Sequence, residues 1–270
     1  MRPEKDFFDI LQTVTIDCKD NGERFTVTDR VAVIEQMLER TDYKLIARQP
    51  LALLYAKREV REGDRVLLIS SHIDCVYPRC FCSDEGDCLR GTFDNSFTNA
   101  ALLLNMVQGR LPDNVVVAFT GNEESDSQGA VQAVVAFTGN EESDSQGAVQ
   151  TVVALGQMGC EVAAALVLDV TNEGWESSAL FTLENDLGID ILTGYNIISS
   201  LEKYDGRFAF KHNALPDESW DYADYGIPSI TLCVPVGGEL HGDAGVLLRK
   251  NAALEYCNVL PLLASLFCQK

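Results

Sequence analysis

Apolar positions along the chain change period several times, and each change marks an element. Over 28–40 the residues Val31, Ile34, Met37 and Leu38 recur at helical spacing, which predicts a helix capped by Thr28 or Asp29. Strand-like runs at 43–49 and 51–57, broken near Pro50, predict a hairpin. Residues 65–70 (RVLLIS) form a short apolar run of the kind used by a sheet covered on both faces. An irregular cysteine-rich loop is expected at 75–91, then a helix over 97–108. Strands are expected at 115–119, 163–170 and 229–235, and a closing helix at 250–267. Strands alternating with helices point to an α/β protein. The expected fold class is a single-domain, three-layer α/β/α architecture with a central mixed, mostly parallel sheet. No Pro/Gly/Ser-rich linker or long charge run divides the 270 residues, so one domain is expected over 1–270.

One stretch breaks this order. Residues 116–132 (VVAFTGNEESDSQGAVQ) recur unchanged at 134–150, a period of eighteen. Solenoid repeats diverge and come in three or more copies, so two identical ones read as a tandem duplication of which the fold needs one. A sheet position holds one strand. Copy one keeps its connection from 111–114, and residues 130–137 behind it carry the Val and Ala pattern of the displaced helix. Copy one is therefore expected at the strand end, with copy two extending that helix or looping out at the opposite edge of the sheet.

Composition narrows the function classes. With 41 acidic and 21 basic residues the formal charge is −20, which disfavours nucleic acid, whose binding draws on Lys and Arg neutralising phosphates. The first ten residues carry charges where a signal peptide needs its apolar stretch, and no run of eighteen apolar residues offers a membrane span. Nine cysteines without regular spacing argue against a secreted disulfide framework. A cytoplasmic protein is expected, with no nucleic-acid and no membrane partner.

The chemistry gathers at strand ends, where open α/β sheets collect ligands. The run 65–70 leads into Ser71-His72-Ile73-Asp74, so His72 is placed to present an imidazole and Asp74 to hold its other nitrogen. Asp94, in Gly91-Thr92-Phe93-Asp94-Asn95, sits before a helix as either a cap or a metal ligand. The strand 115–119 ends in Gly121-Asn122-Glu123-Glu124, adjacent carboxylates that repel unless a cation or shared proton compensates. The strand 163–168 ends in Asp169, and Glu239-Leu240-His241-Gly242-Asp243 follows the last strand. Each residue alone is an ordinary cap or solvated side chain; together, in this order, they predict a shared metal site.

This order, His-x-Asp, Gly-x-x-Asp-Asn, Glu-Glu, Leu-Asp and a final His, resembles the co-catalytic di-zinc exopeptidase superfamily of zinc aminopeptidases, aminoacylase and carboxypeptidase relatives and glutaminyl cyclases. The likeness runs from Arg65 to the last helix and includes 217–230, which resembles the family's Gly-Ile-Pro turn into its last strand. With nineteen residues between Asp74 and Asp94 and no room for a lid domain, the chain is most similar to the lidless aminopeptidase-type members. The resemblance implies two divalent ions, zinc by ligand type, with His72 and Asp169 on one, Glu124 and His241 on the other, and Asp94 bridging. Asp74 would stand behind His72, and Glu123 would be the general base. If the second copy is used, Glu141 becomes the base and Glu142 the ligand. The implied activity is hydrolysis of an amide bond in a short peptide or N-acyl amino acid. Acyl transfer of the glutaminyl-cyclase type, or metal binding without turnover, are the other readings.

Four thiols at Cys75, Cys80, Cys82 and Cys88 are spaced unlike paired zinc ligands and are expected to bind no metal and form no disulfide. His212 is expected in a loop, and Trp175 and Trp220 as packing residues.

Overall fold

In the strand Arg65–His72, Leu67 and Ile69 join one apolar core while Val66 and Leu68 join a second. Successive strand side chains point to opposite faces, so a continuous apolar run feeds cores on both sides of a sheet. The structure, a computed structural model, describes residues 3–16, 29–75, 77, 79–121, 123 and 145–268. In chain order these form α1 (Pro3–Val14), α2 (Asp29–Leu38), β1 (Lys44–Gln49), β2 (Ala52–Ala56), β3 (Arg65–His72), β4 (Cys82–Glu85) and β5 (Cys88–Gly91). Next come α3 (Ser96–Val107), β6 (Val115–Thr120), α4 (Gln146–Gln157), β7 (Glu161–Thr171), β8 (Phe181–Leu187) and α5 (Ile191–Ser200). The chain closes with β9 (Phe208–Lys211), α6 (Glu218–Asp224), β10 (Ser229–Gly237), β11 (Val246–Arg249) and α7 (Lys250–Phe267).

The central strands β6, β3, β7 and β10 run parallel. Antiparallel β2 and β1 extend one side, and β8, antiparallel to β10, extends the other and carries β9. A ribbon of β11, β5 and β4 continues antiparallel from the end of β10. Helices α1, α2, α3, α5 and α7 pack together on one face, with α4 and α6 on the other. The result is a three-layer α/β/α fold whose sheet is mixed, parallel at the centre and antiparallel at its edges.

Where the sequence expects an irregular loop at 75–91, β4 and β5 form a hairpin. Its turn is made by Gly86, at φ 78°, whose N–H donates to Asp84 Oδ1 at 2.9 Å. The strand Cys82-Ser83-Asp84-Glu85 is largely exposed, so it lacks the apolar alternation that marks a strand in sequence.

The duplicated segment is shared between two elements. Copy one supplies β6, as expected, but the helix behind it is built from copy two: α4 starts at Gln146 and runs on into Thr151-Val152-Val153. Copy two therefore does not end at the opposite edge of the sheet. Its last residues pack on β2 and β6, and the Gly147 N–H donates to the Gly121 carbonyl at 3.2 Å. A Cβ on Gly147 would come within 2.6 Å of that oxygen, so glycine is required where α4 meets the strand end. Residues 130–137, expected to hold the displaced helix, lie outside the described residues.

Candidate metal centre

Four parallel strands end on one side of the sheet, and that is where the ionisable residues meet. His72 is the last residue of β3 and pairs with Thr120 of β6, which leads to Glu123. Asp169 lies near the end of β7 and pairs with Cys233 of β10. Beyond β10 the loop 238–245 carries His241 at φ 66°, a left-handed backbone uncommon for a residue other than glycine. Asp94 stands two residues before α3, next to its N-cap Asn95.

Asp94 faces both imidazoles: Oδ1 lies 3.2 Å from His72 Nε2, and Oδ2 lies 3.2 Å from His241 Nε2. His72 Nε2 is also 3.7 Å from Asp169 Oδ1 and 3.8 Å from Glu123 Oε2. On the other side of the ring, Nδ1 is 3.4 Å from Asp74 Oδ1. Ligand atoms of His72, Asp94 and Asp169 all fall within 4.8 Å of one another. The structure thus brings together His72, Asp74, Asp94, Glu123, Asp169 and His241. Glu124, Glu141 and Glu142 lie outside the described residues.

So many charges in one place shift one another. Burial alone would lower the His72 pKa, but the charge of Glu123 and the contacts of Asp169, Asp74 and Asp94 hold it well above its usual 6.5. Burial opposes the Asp94 charge, yet His241 and His72 outweigh it and keep this carboxyl below the usual range. Asp169 is pushed up to about 7, by burial first and then by the charges of Asp94 and Asp217. A divalent cation fits this arrangement. Asp94 Oδ1 is buried and accepts no hydrogen bond although an imidazole nitrogen is 3.2 Å away. Carboxylates and imidazoles are also the donors that zinc takes in open sites.

Residues that sequence reasoning missed hold this geometry. Asn99 Nδ2 donates to the His72 carbonyl at 2.9 Å, and Asn95 Nδ2 to the Leu168 carbonyl at 2.8 Å, so the start of α3 ties the ends of β3 and β7 together. Arg30 is almost fully buried and donates from Nη1 to the Ile73 carbonyl at 2.8 Å, next to Asp74. The Tyr77 ring packs edge-on against His241 at 6.3 Å between centroids. Ser70 Oγ donates to Glu218 Oε2 at 2.7 Å beneath the site. The available signal was the polar face at the start of α3, where Asn95, Thr98 and Asn99 interrupt an otherwise apolar helix.

A cleft of about 360 Å³ opens beside the cluster and runs over β7, β10, β8 and β9. His212 is remote from it, in an exposed loop 2.8 Å from Asp186. Trp175 stacks under the Arg249 guanidinium at 3.7 Å, while Trp220 is partly exposed on α6. The Cys75 and Cys80 sulfurs are 3.8 Å apart, and Arg30 Nη2 reaches Cys80 at 3.6 Å. Among the described residues no helix is long and apolar enough to cross a membrane.

No family model and no curated protein sequence matches this chain. Solved structures do share its architecture. A TET aminopeptidase from a marine sediment Thaumarchaeota archaeon superposes with a TM-score of 0.69 at 12% identity, over 96% of each chain. A Thermotoga maritima protein described as an endoglucanase gives 0.61 at 13% identity, over 94% of this chain and 96% of that one. A zinc aminopeptidase from Bacillus subtilis gives 0.52 at 14% identity, over 79% of this chain and 48% of the other. At such identities the likeness is one of fold: the chain shares the architecture of these aminopeptidase structures.

Proposed function

We propose that this chain is a zinc-dependent exopeptidase that hydrolyses the amide bond of a short peptide or N-acyl amino acid, most simply as an aminopeptidase. The observation that carries this reading is the Asp94 carboxylate, each of whose oxygens faces a different imidazole. His72 and Asp169 would hold one ion and His241, with Glu124, the other, while Asp94 joins them. A bound pair of divalent ions supplies an acidified water and polarises the carbonyl under attack. Glu123, among these groups, would take the proton from the attacking water and return it to the leaving amine. Asp74 would act through His72, fixing the ring so that Nε2 faces the cluster.

Glycan hydrolysis, suggested by the name of one protein of the same fold, fits the geometry less well. Glycosidase carboxylates flank the scissile bond about 5–9.5 Å apart. Here Asp94, Glu123 and Asp169 instead crowd one imidazole nitrogen.

The test is metal analysis of the purified protein together with a dipeptide and N-acyl amino acid library, with a β-glucan as control. Two zinc ions per chain and hydrolysis of library members are expected. Metal content without turnover of any amide would leave a binding protein of this fold. Cleavage of the glucan alone would overturn the peptidase reading.

A further inference from the structure

The cleft beside the metal centre contains a buried carboxylate that the proposed chemistry does not use. Glu184 on β8 is 5% exposed, lines the same cleft as His72, Asp94 and Asp169, and accepts a hydrogen bond from Thr182 Oγ1 at 2.6 Å. Among the described residues no basic side chain lies within ion-pair distance of it. Lys211 is its register partner on β9 and also lines the cleft, but its ammonium pairs with Glu173. Asp217, the other carboxylate of this wall, is differently placed. It caps α6, accepting from the Ser219 N–H at 2.8 Å, Thr231 Oγ1 at 2.7 Å and Asn185 Nδ2 at 3.2 Å, and also from Ser219 Oγ. Asp217 thus has four donors around it, whereas Glu184 has only the Thr182 and Thr171 hydroxyls and, among the described residues, no counter-charge. A buried carboxylate in that position is costly unless a cation or a proton reaches it.

Sheet register sets how far away such a cation would be. Asp169 pairs with Cys233, and Cys233 with Thr182, so these three lie side by side on adjacent strands. Glu184 lies two residues further along β8 on the same face. Two strand spacings and two residues put its Cα roughly 12 Å from that of Asp169. The α-amine of a substrate is two bonds from the carbonyl at the metals and falls far short of this. A long side chain does not.

We propose that the cleft receives a lysine or arginine side chain on the residue whose carbonyl is attacked, with Glu184 as its counter-charge. The assignment rests on the peptidase reading above for the direction in which the substrate enters. Glu184 determines specificity and takes no part in the bond cleavage.

The experiment compares lysyl, arginyl, norleucyl and leucyl aminomethylcoumarin amides with the zinc-loaded protein, before and after Glu184→Gln. Norleucine is lysine with a methyl in place of the aminomethyl head, so the lysyl/norleucyl ratio isolates the charge. The lysyl kcat/KM should exceed the norleucyl value by about tenfold or more. Glu184→Gln should remove that preference through KM while changing norleucyl turnover by no more than about twofold. In parallel, calorimetric titration of L-lysinamide and L-norleucinamide into the zinc-free wild-type protein reads the pocket without turnover or a variant. Preferential lysinamide binding with none of the amides hydrolysed would support the pocket and sink the peptidase reading. Norleucyl hydrolysis with no lysyl preference would keep the peptidase and overturn the pocket. Equal binding of the two amides, or none, also overturns it.

Discussion

Asp94 is the residue on which the centre depends, because among the described residues its carboxylate is the one that touches both imidazoles. Asp94→Asn keeps the shape but removes the negative charge and leaves one neutral amide oxygen where there were two carboxylate oxygens, so zinc content should fall from two ions per chain to one or fewer, measured by elemental analysis. Glu123→Gln should differ: metal content stays near wild type while kcat falls roughly a hundred- to ten-thousandfold, the usual share of a general base. A Glu123→Gln enzyme that keeps most of its kcat removes this residue from the chemistry. Protons compete for the same atoms, and the sign follows from the shifts. His72 is held well above 6.5 and Asp169 near 7, so below that pH both carry protons that a metal must displace. Zinc affinity should therefore rise from pH 5.5 to 8, with proton release visible when calorimetry is repeated in buffers of different ionisation enthalpy. An affinity flat across that range would contradict the shared site. Strand-end position made His72, Asp169 and His241 legible in the sequence, and the place before a helix did so for Asp94. Arg30, Asn99 and Glu184 were not, because each reaches the site from a distant element through contacts that no local spacing encodes.

At the scale of elements, the long parallel strands were readable because their apolar runs are continuous, while β4 and β8 carry too many polar residues to stand out and β9 is only four residues long. The duplication was readable as an anomaly, but its division between β6 and α4 was not, since the two copies are identical and local pattern cannot rank them. The division itself yields a prediction. Twenty-five residues separate Thr120 from Gln146, and removing one eighteen-residue period leaves seven. Any eighteen-residue window removed within the pair gives the same sequence, so Glu123 and the start of α4 both survive. The Gly147 N–H already donates to the Gly121 carbonyl, so β6 and α4 meet where a short connection reaches. Shortening the connection in this way recovers about 1 kcal/mol of closure entropy. The deletion variant should unfold roughly 2–4 °C higher and keep its zinc and its activity. A variant that fails to fold, or folds without binding zinc, would show that the extra residues are needed by the structure.

Across the whole molecule, the centre joins parts of the chain that are far apart in sequence. Its residues come from the ends of β3 and β7, the turn after β6, the segment leading into α3 and the loop after β10. A cation held there is bound by the assembled sheet and not by any single segment, so metal affinity adds to folding stability. The opposing term is electrostatic. The chain carries −20 overall, and Asp74, Asp94, Glu123 and Asp169 place four of its carboxylates around two imidazoles. Stripping the metal removes the compensating charge and the link between strands together. With zinc at about a hundred times its dissociation constant, the lost binding free energy is about 2.7 kcal/mol. For a chain of this size that corresponds to a drop of roughly 5–10 °C in unfolding temperature. Thermal unfolding at fixed pH and salt, with zinc and then with excess chelator, measures it. Asp94→Asn should shift much less on chelation, because its site is already weakened. Wild-type protein that unfolds at the same temperature in both conditions would mean that no cation bridges these strands in the folded state.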